Sequence, residues 1–429
     1  MRTFGMFVCT ASLIAGTASA EIYGYQVLGK KLELTRPDQA DAVTSVYNYP
    51  REDYRPDGTR VGSFDVYATA KADVAYNDNI YATETATESD VITKITPALV
   101  AKSDWGRHEL VGRVHGELVR YLDNSDEDYE NYGVNVSGRL DVKRNSYAFA
   151  SIGADVKHED RGSPNAVSAA KEPTEYLESQ GQIGYVHAQG RMSMSAFADV
   201  TKLDFEDGQT STGTNIDQDG RDRTEKALTV QVGYEIKPEY EAFVRGTFKN
   251  IEYDQTTSQD RNSDASQVVA GLATDLTGKV RGEIYAGYLR QDYSVSSTYK
   301  KIAKPTYGAN MLWSVDGLTS VSVDANRTVG ETTVTGASGY LSTGLNVGVQ
   351  HELRRNVLLS GNAGYANHDY IGHAITREDD YINAGAEVRY LLNKNYSVGL
   401  RYDYTNRDSN QAGADYDRNT IMATLTGSL

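Results

Sequence analysis

From Ser63 to Leu429 the chain is punctuated by eight tight polar turns, one roughly every 40 residues. They are Asp104-Trp105-Gly106-Arg107, Lys143-Arg144-Asn145, Ala188-Gln189-Gly190, Lys237-Pro238-Glu239, Thr277-Gly278-Lys279, Asp316-Gly317, Arg354-Arg355-Asn356 and Asn393-Lys394-Asn395. Between successive turns lie two strand-length segments joined by a longer acidic loop. Short turns on one side and long loops on the other are the pattern of an outer-membrane β-barrel. Eight turns and nine loops connect eighteen strands, the first about 64–77 and the last about 418–429. The expected fold is therefore all-β, a transmembrane antiparallel barrel of about 18 strands spanning 63–429. An even count puts both ends on the periplasmic side.

Two-residue alternation supports this reading, because successive side chains on a strand point to opposite faces. Tyr396, Val398, Leu400, Tyr402 and Tyr404 face one way, and Ser397, Gly399, Arg401, Asp403 and Thr405 the other. Ile382, Ala384, Ala386, Val388 and Tyr390 oppose Asn383, Gly385, Glu387 and Arg389. Leu228, Val230, Val232, Tyr234 and Ile236 oppose Thr229, Gln231, Gly233 and Glu235. Val134, Val136, Leu140 and Val142 oppose Asn135, Ser137, Arg139 and Asp141. A soluble sandwich would alternate too, but its strands average about five or six residues. The segments here run from 11 to 16.

Residues 1–20 read as a secretory leader: Arg2, an apolar stretch from Phe4 to Gly16, and Ala18-Ser19-Ala20 as the cleavage site. The one cysteine, Cys9, would leave with it. Disulfides are then excluded, and a closed ladder of backbone hydrogen bonds must hold the fold. After the leader no run of about 20 apolar residues remains for a transmembrane helix. The net charge of −16 sits mainly in the long loops and argues against a nucleic-acid partner. Tyrosine is abundant, 31 against 8 Phe and 2 Trp, which suits membrane interfaces. Residues 21–62 lack sustained alternation and carry Pro37, Pro50 and Pro56. They read as a mostly irregular periplasmic arm, short enough to tuck into the lumen. At the other end Ile421, Ala423, Leu425 and Leu429 share a face, like a C-terminal barrel-insertion signal.

The polar face supplies the candidate lumen: Lys71, Asp73, Arg113, Glu117, Arg139, Asp141, Arg245, Arg281, Glu283, Glu387, Arg389, Arg401 and Asp403. Such residues either line a path for a polar solute or pair across strands and simply make the interior tolerable. A barrel of 16 to 18 strands leaves an aqueous passage unless something fills it. The seven histidines are scattered and form no catalytic or metal spacing, so no enzyme and no cofactor are expected. Asn215, Asp217 and Asp219 before Gly220 match part of a calcium loop, but Lys226 stands where the bidentate Glu belongs. Acidic runs such as Asn124-Ser125-Asp126-Glu127-Asp128 read as solvated loops.

Several stretches resemble alphaproteobacterial outer-membrane β-barrel proteins of the beta-barrel porin 2 family. They are YRPDGTRVGSF (54–64), YNDNIYAT (76–83), SDVITKITPALVAKSDWGRHEL (89–110) and YLDNSDEDYENY (121–132). Asn77-Asp78-Asn79 is the most recognisable mark, and by itself it reads as a strand-ending turn. The resemblance implies the bacterial outer membrane, partners among its lipids and lipopolysaccharide, and a role in exopolysaccharide or capsule export with polysaccharide and export machinery as partners. A general or solute-selective porin is the alternative from architecture. A structural or adhesive barrel with a filled lumen is the third reading.

Overall fold

The computed structural model describes residues 45–49, 51–255, 260–276 and 279–429. The leader, Cys9, the first part of the arm and the Thr277-Gly278 turn lie outside the described residues. Eighteen long strands, from Phe64–Asn77 to Tyr416–Ser428, pair antiparallel in chain order. The first also pairs with the last, from Thr69↔Ser428 to Asn77↔Thr420, so the sheet closes on itself. Full closure leaves no edge strand, which a lipid environment requires. Among the described residues no helix is long and apolar enough to cross a membrane. This is a transmembrane β-barrel.

The register follows from the turns. Four of its irregularities fall at tight-turn ends, between Asp141/Lys143, Glu235/Lys237, Ser314/Asp316 and Glu352/Arg354. Bulges favour such rims because the extra residue lets the strand bend into the turn. Alternation then sets the faces. Leu400, Val388 and Val232 are 58, 48 and 38% exposed on the outer wall. Exposed tyrosines form two girdles: Tyr76, Tyr132 and Tyr288 towards the loop end, Tyr185, Tyr234 and Tyr390 towards the turn end.

At the seam the terminal Leu429 exchanges backbone hydrogen bonds with Ala68, four residues into the first strand. The start of the first strand is covered instead by Thr59–Val61, a short strand inside the stretch expected to be irregular. At the loop end of the same seam, Asn77-Asp78-Asn79 does more than end a strand. Asp78 accepts from the Asn419 backbone and side-chain amides, both at 2.7 Å. Asn79, 1% exposed, donates to the Asp417 carbonyl at 2.9 Å, and its own carbonyl accepts from Arg418 Nε at 3.1 Å. The motif clasps the first strand to the last.

Candidate functional site: the inner wall and its two ends

All eleven charged residues proposed for the lumen from Arg113 to Asp403 are half-buried on the face opposite the exposed apolar residues. In a closed barrel that face is the inner one. Glu387, Arg389, Arg401 and Asp403 come together on the neighbouring strands Glu378–Leu391 and Tyr396–Ser409, where Glu387 is directly opposite Arg401. Arg389 pairs with Glu387 at 2.9 Å, and Arg401 with Asp403 at 2.5 Å. Gly385, opposite Asp403, leaves room for it: a Cβ there would lie 2.7 Å from an Asp403 carboxylate oxygen. Around the seam the strip continues with Lys71 and Asp73 (3.8 Å) and with Lys94 and Glu117 (3.1 Å).

The other candidates form separate patches. Arg245 reaches Gln231 at 2.8 Å and Glu283 at 2.6 Å, with its guanidinium near the Phe243 and Tyr285 rings. Arg281 shares a strand face with Glu283. Arg139 pairs with Asp141 at 2.9 Å and lies over Tyr147. Arg113 keeps a buried Nε with no hydrogen-bond partner. Most of these cations are locally neutralised by a neighbouring carboxylate. Each remains a hydrogen-bond donor or acceptor for a passing solute.

At the loop end the third long loop, 159–174, spans the mouth. Its Asp160 pairs with Arg418 on the last strand at 3.1 Å. Its Glu159 pairs with Arg221 of the fourth loop at 2.8 Å. Its Arg161 binds Glu127 of the second loop, with Nε at 2.9 Å from the carboxylate. The Asn165 side chain reaches the far side. It donates to the Glu331 carbonyl at 3.3 Å and accepts from the Thr332 hydroxyl at 2.9 Å and the Thr333 backbone at 3.1 Å. Glu331 in turn accepts from Tyr253 and Gln291. Two loops from opposite sides of the barrel therefore meet over the opening.

At the turn end the described part of the arm lies against the inner wall. Val46 N–H donates to Ser320 Oγ at 3.0 Å and Tyr47 N–H to Gln350 Oε1 at 3.3 Å. The Tyr49 hydroxyl bonds Ser314 Oγ at 3.0 Å. Arg51 pairs with Glu352 at 2.6 Å, both side chains almost fully buried. Val46 and Tyr47 pack on Leu358 and Leu391. Sequence reasoning left this contact open, although one signal was present. Continuing the polar face of Asn383, Gly385, Glu387 and Arg389 leads to Leu391, and Leu358 likewise precedes Ser360 and Asn362 on an inner face. A leucine facing water inside a barrel is unfavourable unless something covers it.

The calcium reading needs correction. Asn215 donates to Asp207 at 3.1 Å, and it is Asp207 whose carboxylate gathers with Asp217 and Asp219. The Gln218 backbone N–H and the Asn215 amide hold the Asp207 carboxyl below its usual range. Glu225 points to the inner face, paired with Arg223 and Lys249 at 2.8 and 2.7 Å. Chain geometry has carried it away from the loop.

A closed eighteen-stranded wall with an apolar exterior and a polar interior defines a bacterial outer-membrane β-barrel protein. The family model "Putative beta-barrel porin 2" matches residues 51–429, and the chain belongs to that family. No curated protein matches it. Among solved structures it is similar to OpdK of Pseudomonas aeruginosa, with 11% identity and TM-score 0.44 over 85% of this chain and 99% of that one. It is similar also to OpdO of the same organism (13%, TM-score 0.45, 86% and 98%) and to OccAB4 of Acinetobacter baumannii (11%, TM-score 0.45, 89% and 100%). Likenesses at this level carry no argument about the path through this barrel. These organisms are gammaproteobacterial, so the alphaproteobacterial part of the resemblance rests on the 54–132 motifs.

Proposed function

We propose that the barrel is a solute-selective porin for small polar solutes, and that the eleven inner-wall residues from Arg113 to Asp403 line its path. The observation that carries this reading is the strip of cations and anions formed by Arg389, Glu387, Arg401 and Asp403 on adjacent strands, with Lys71 and Asp73 on the next strand but one. Facing charges of both signs present donors and acceptors to a hydrated solute while keeping the net wall charge low. The crossing of the mouth by loop 159–174 favours small solutes over a polymer. Replacing Arg389 and Arg401 by Gln leaves Glu387 and Asp403 unneutralised. The reversal potential of the purified channel in planar bilayers should then move towards cation preference. Unchanged selectivity in the double variant would remove these residues from the path.

Export of an exopolysaccharide or capsule chain is the second reading, supported by the family resemblance and by tyrosines on the inner wall such as Tyr285 and Tyr340. It requires the third and seventh loops to part. A deletion strain that displays and secretes normal amounts of polysaccharide would sink it.

A further inference from the structure

We propose that residues 45–49, together with Arg51, are a plug carried in cis, seated in the turn-end opening and holding the channel in a low-conductance state until it is unseated. The inference rests on the channel reading above and adds a regulatory element to it. Three observations carry it. First, the socket is made for a lid: Leu358 and Leu391 are 2 and 0% exposed although their strands turn them inward, and Val46, at 0%, is what covers them. Burying apolar surface drives the contact, and it forms only when the arm is in place. Second, the charged anchor of the seat is enclosed. Arg51 and Glu352 are bonded at 2.6 Å and shielded from solvent. Seating must therefore remove both charges from water, and it is favourable only with both present.

Third, the plug touches the proposed path. The Arg389 guanidinium lies 4.8 Å from the Tyr47 ring centroid, so a seated arm covers one of the cations of the strip. The connection back to the barrel wall is unlike the socket. Glu52, Asp53, Arg55 and Asp57 are exposed, and Gly58 and Gly62 adopt φ of +71° and +59°, which glycine supplies without strain. This stretch carries the Lys394–Asp57 pair and rejoins the wall through Thr59–Val61, which pairs with the first strand.

The test uses the full chain carrying Val46→Cys, whose only other cysteine, Cys9, is in the leader, with two readouts on the same protein. One is the rate of modification of that thiol by a small maleimide; the other is single-channel conductance in planar bilayers. Arg51→Glu should raise the modification rate at least about tenfold, because like charges now face each other in a buried site. It should also raise conductance at least about twofold, because the opening widens. The exchange Arg51→Glu with Glu352→Arg should return both to the parent values, which a merely misfolded variant would not do. Faster modification with unchanged conductance overturns the plug and leaves the channel standing. Unchanged modification in Arg51→Glu overturns the seat. Faster modification with no conductance in any variant leaves the seat in place and fails the porin reading on which the plug depends.

Discussion

The two ends of the lumen are obstructed by opposite kinds of chemistry. At the loop end, 159–174 is held by charge and hydrogen bonds: Asp160–Arg418, Glu159–Arg221, Arg161–Glu127 and the Asn165 contacts with Thr332 and Thr333. At the turn end, the arm is held by Val46 and Tyr47 on Leu358 and Leu391, with one enclosed ion pair. The loop end is a network of many directional contacts, so the loss of one leaves the others. The turn end joins a small apolar seat and one enclosed ion pair to three hydrogen bonds, so its hold is concentrated on a few residues. The strands that build both ends are the same; what differs is the chemistry of the chain that contacts them.

The sharpest way to break the contrast is at the seat. Leu391→Asn should cost roughly 2–5 kcal/mol of seating free energy, the range for losing a buried large apolar side chain. Trypsin cleavage after Arg51 of the folded protein should then become fast while the barrel core stays intact. Slow cleavage would mean that the apolar contact is not what holds the arm. Next in size is the seam. Asn79→Ala removes bonds to Thr83 and Asp417, each worth about 0.5–1.5 kcal/mol net. The folded, heat-modifiable band on gels should convert at a lower temperature than in the parent.

At the loop end, Asn165→Ala should act more gently, by about 1–3 kcal/mol, since the ion pairs remain. Greater open-channel noise with unchanged mean conductance is the expected record. A collapse of the barrel instead would show that the bridge is structural rather than a constriction.

The smallest effect is pH dependence in the fourth loop. Burial, with Asp204, Asp219 and Asp254 nearby, pushes the Asp222 carboxyl up to about 6. A folded-state value above the ordinary 3.8 means the folded loop binds the proton more tightly than the unfolded chain. Stability of this loop should therefore rise as pH falls from about 6 towards 4, and the gain is absent at neutral pH. Asp222→Asn should flatten that dependence while keeping an acceptor for the Phe205 N–H, bonded at 2.7 Å. Hydrogen exchange of 206–222 at pH 5 and pH 8 reads it directly.

By itself the sequence determined the barrel. The turns, the loop lengths and the period of two are local properties, and each strand shows its own two faces whatever its neighbours are. Strand number, closure, outer wall and inner wall follow from that, and Glu387, Arg389, Arg401 and Asp403 meet because their strands are consecutive. Only the tertiary structure decided what fills the barrel. Asn165 meets Thr332, Asp160 meets Arg418, and Arg51 meets Glu352 across sequence separations of 167, 258 and 301 residues. No local period encodes such meetings, since they depend on where a closed wall brings distant chain together. The fourth loop shows the same cause: Glu225 lies close to Asp219 in sequence, but strand pairing points it into the lumen with Arg223 and Lys249. Inward leucines at 358 and 391 were the one local trace of the arm. They are out of phase with a water-filled interior, and only the folded chain shows what covers them.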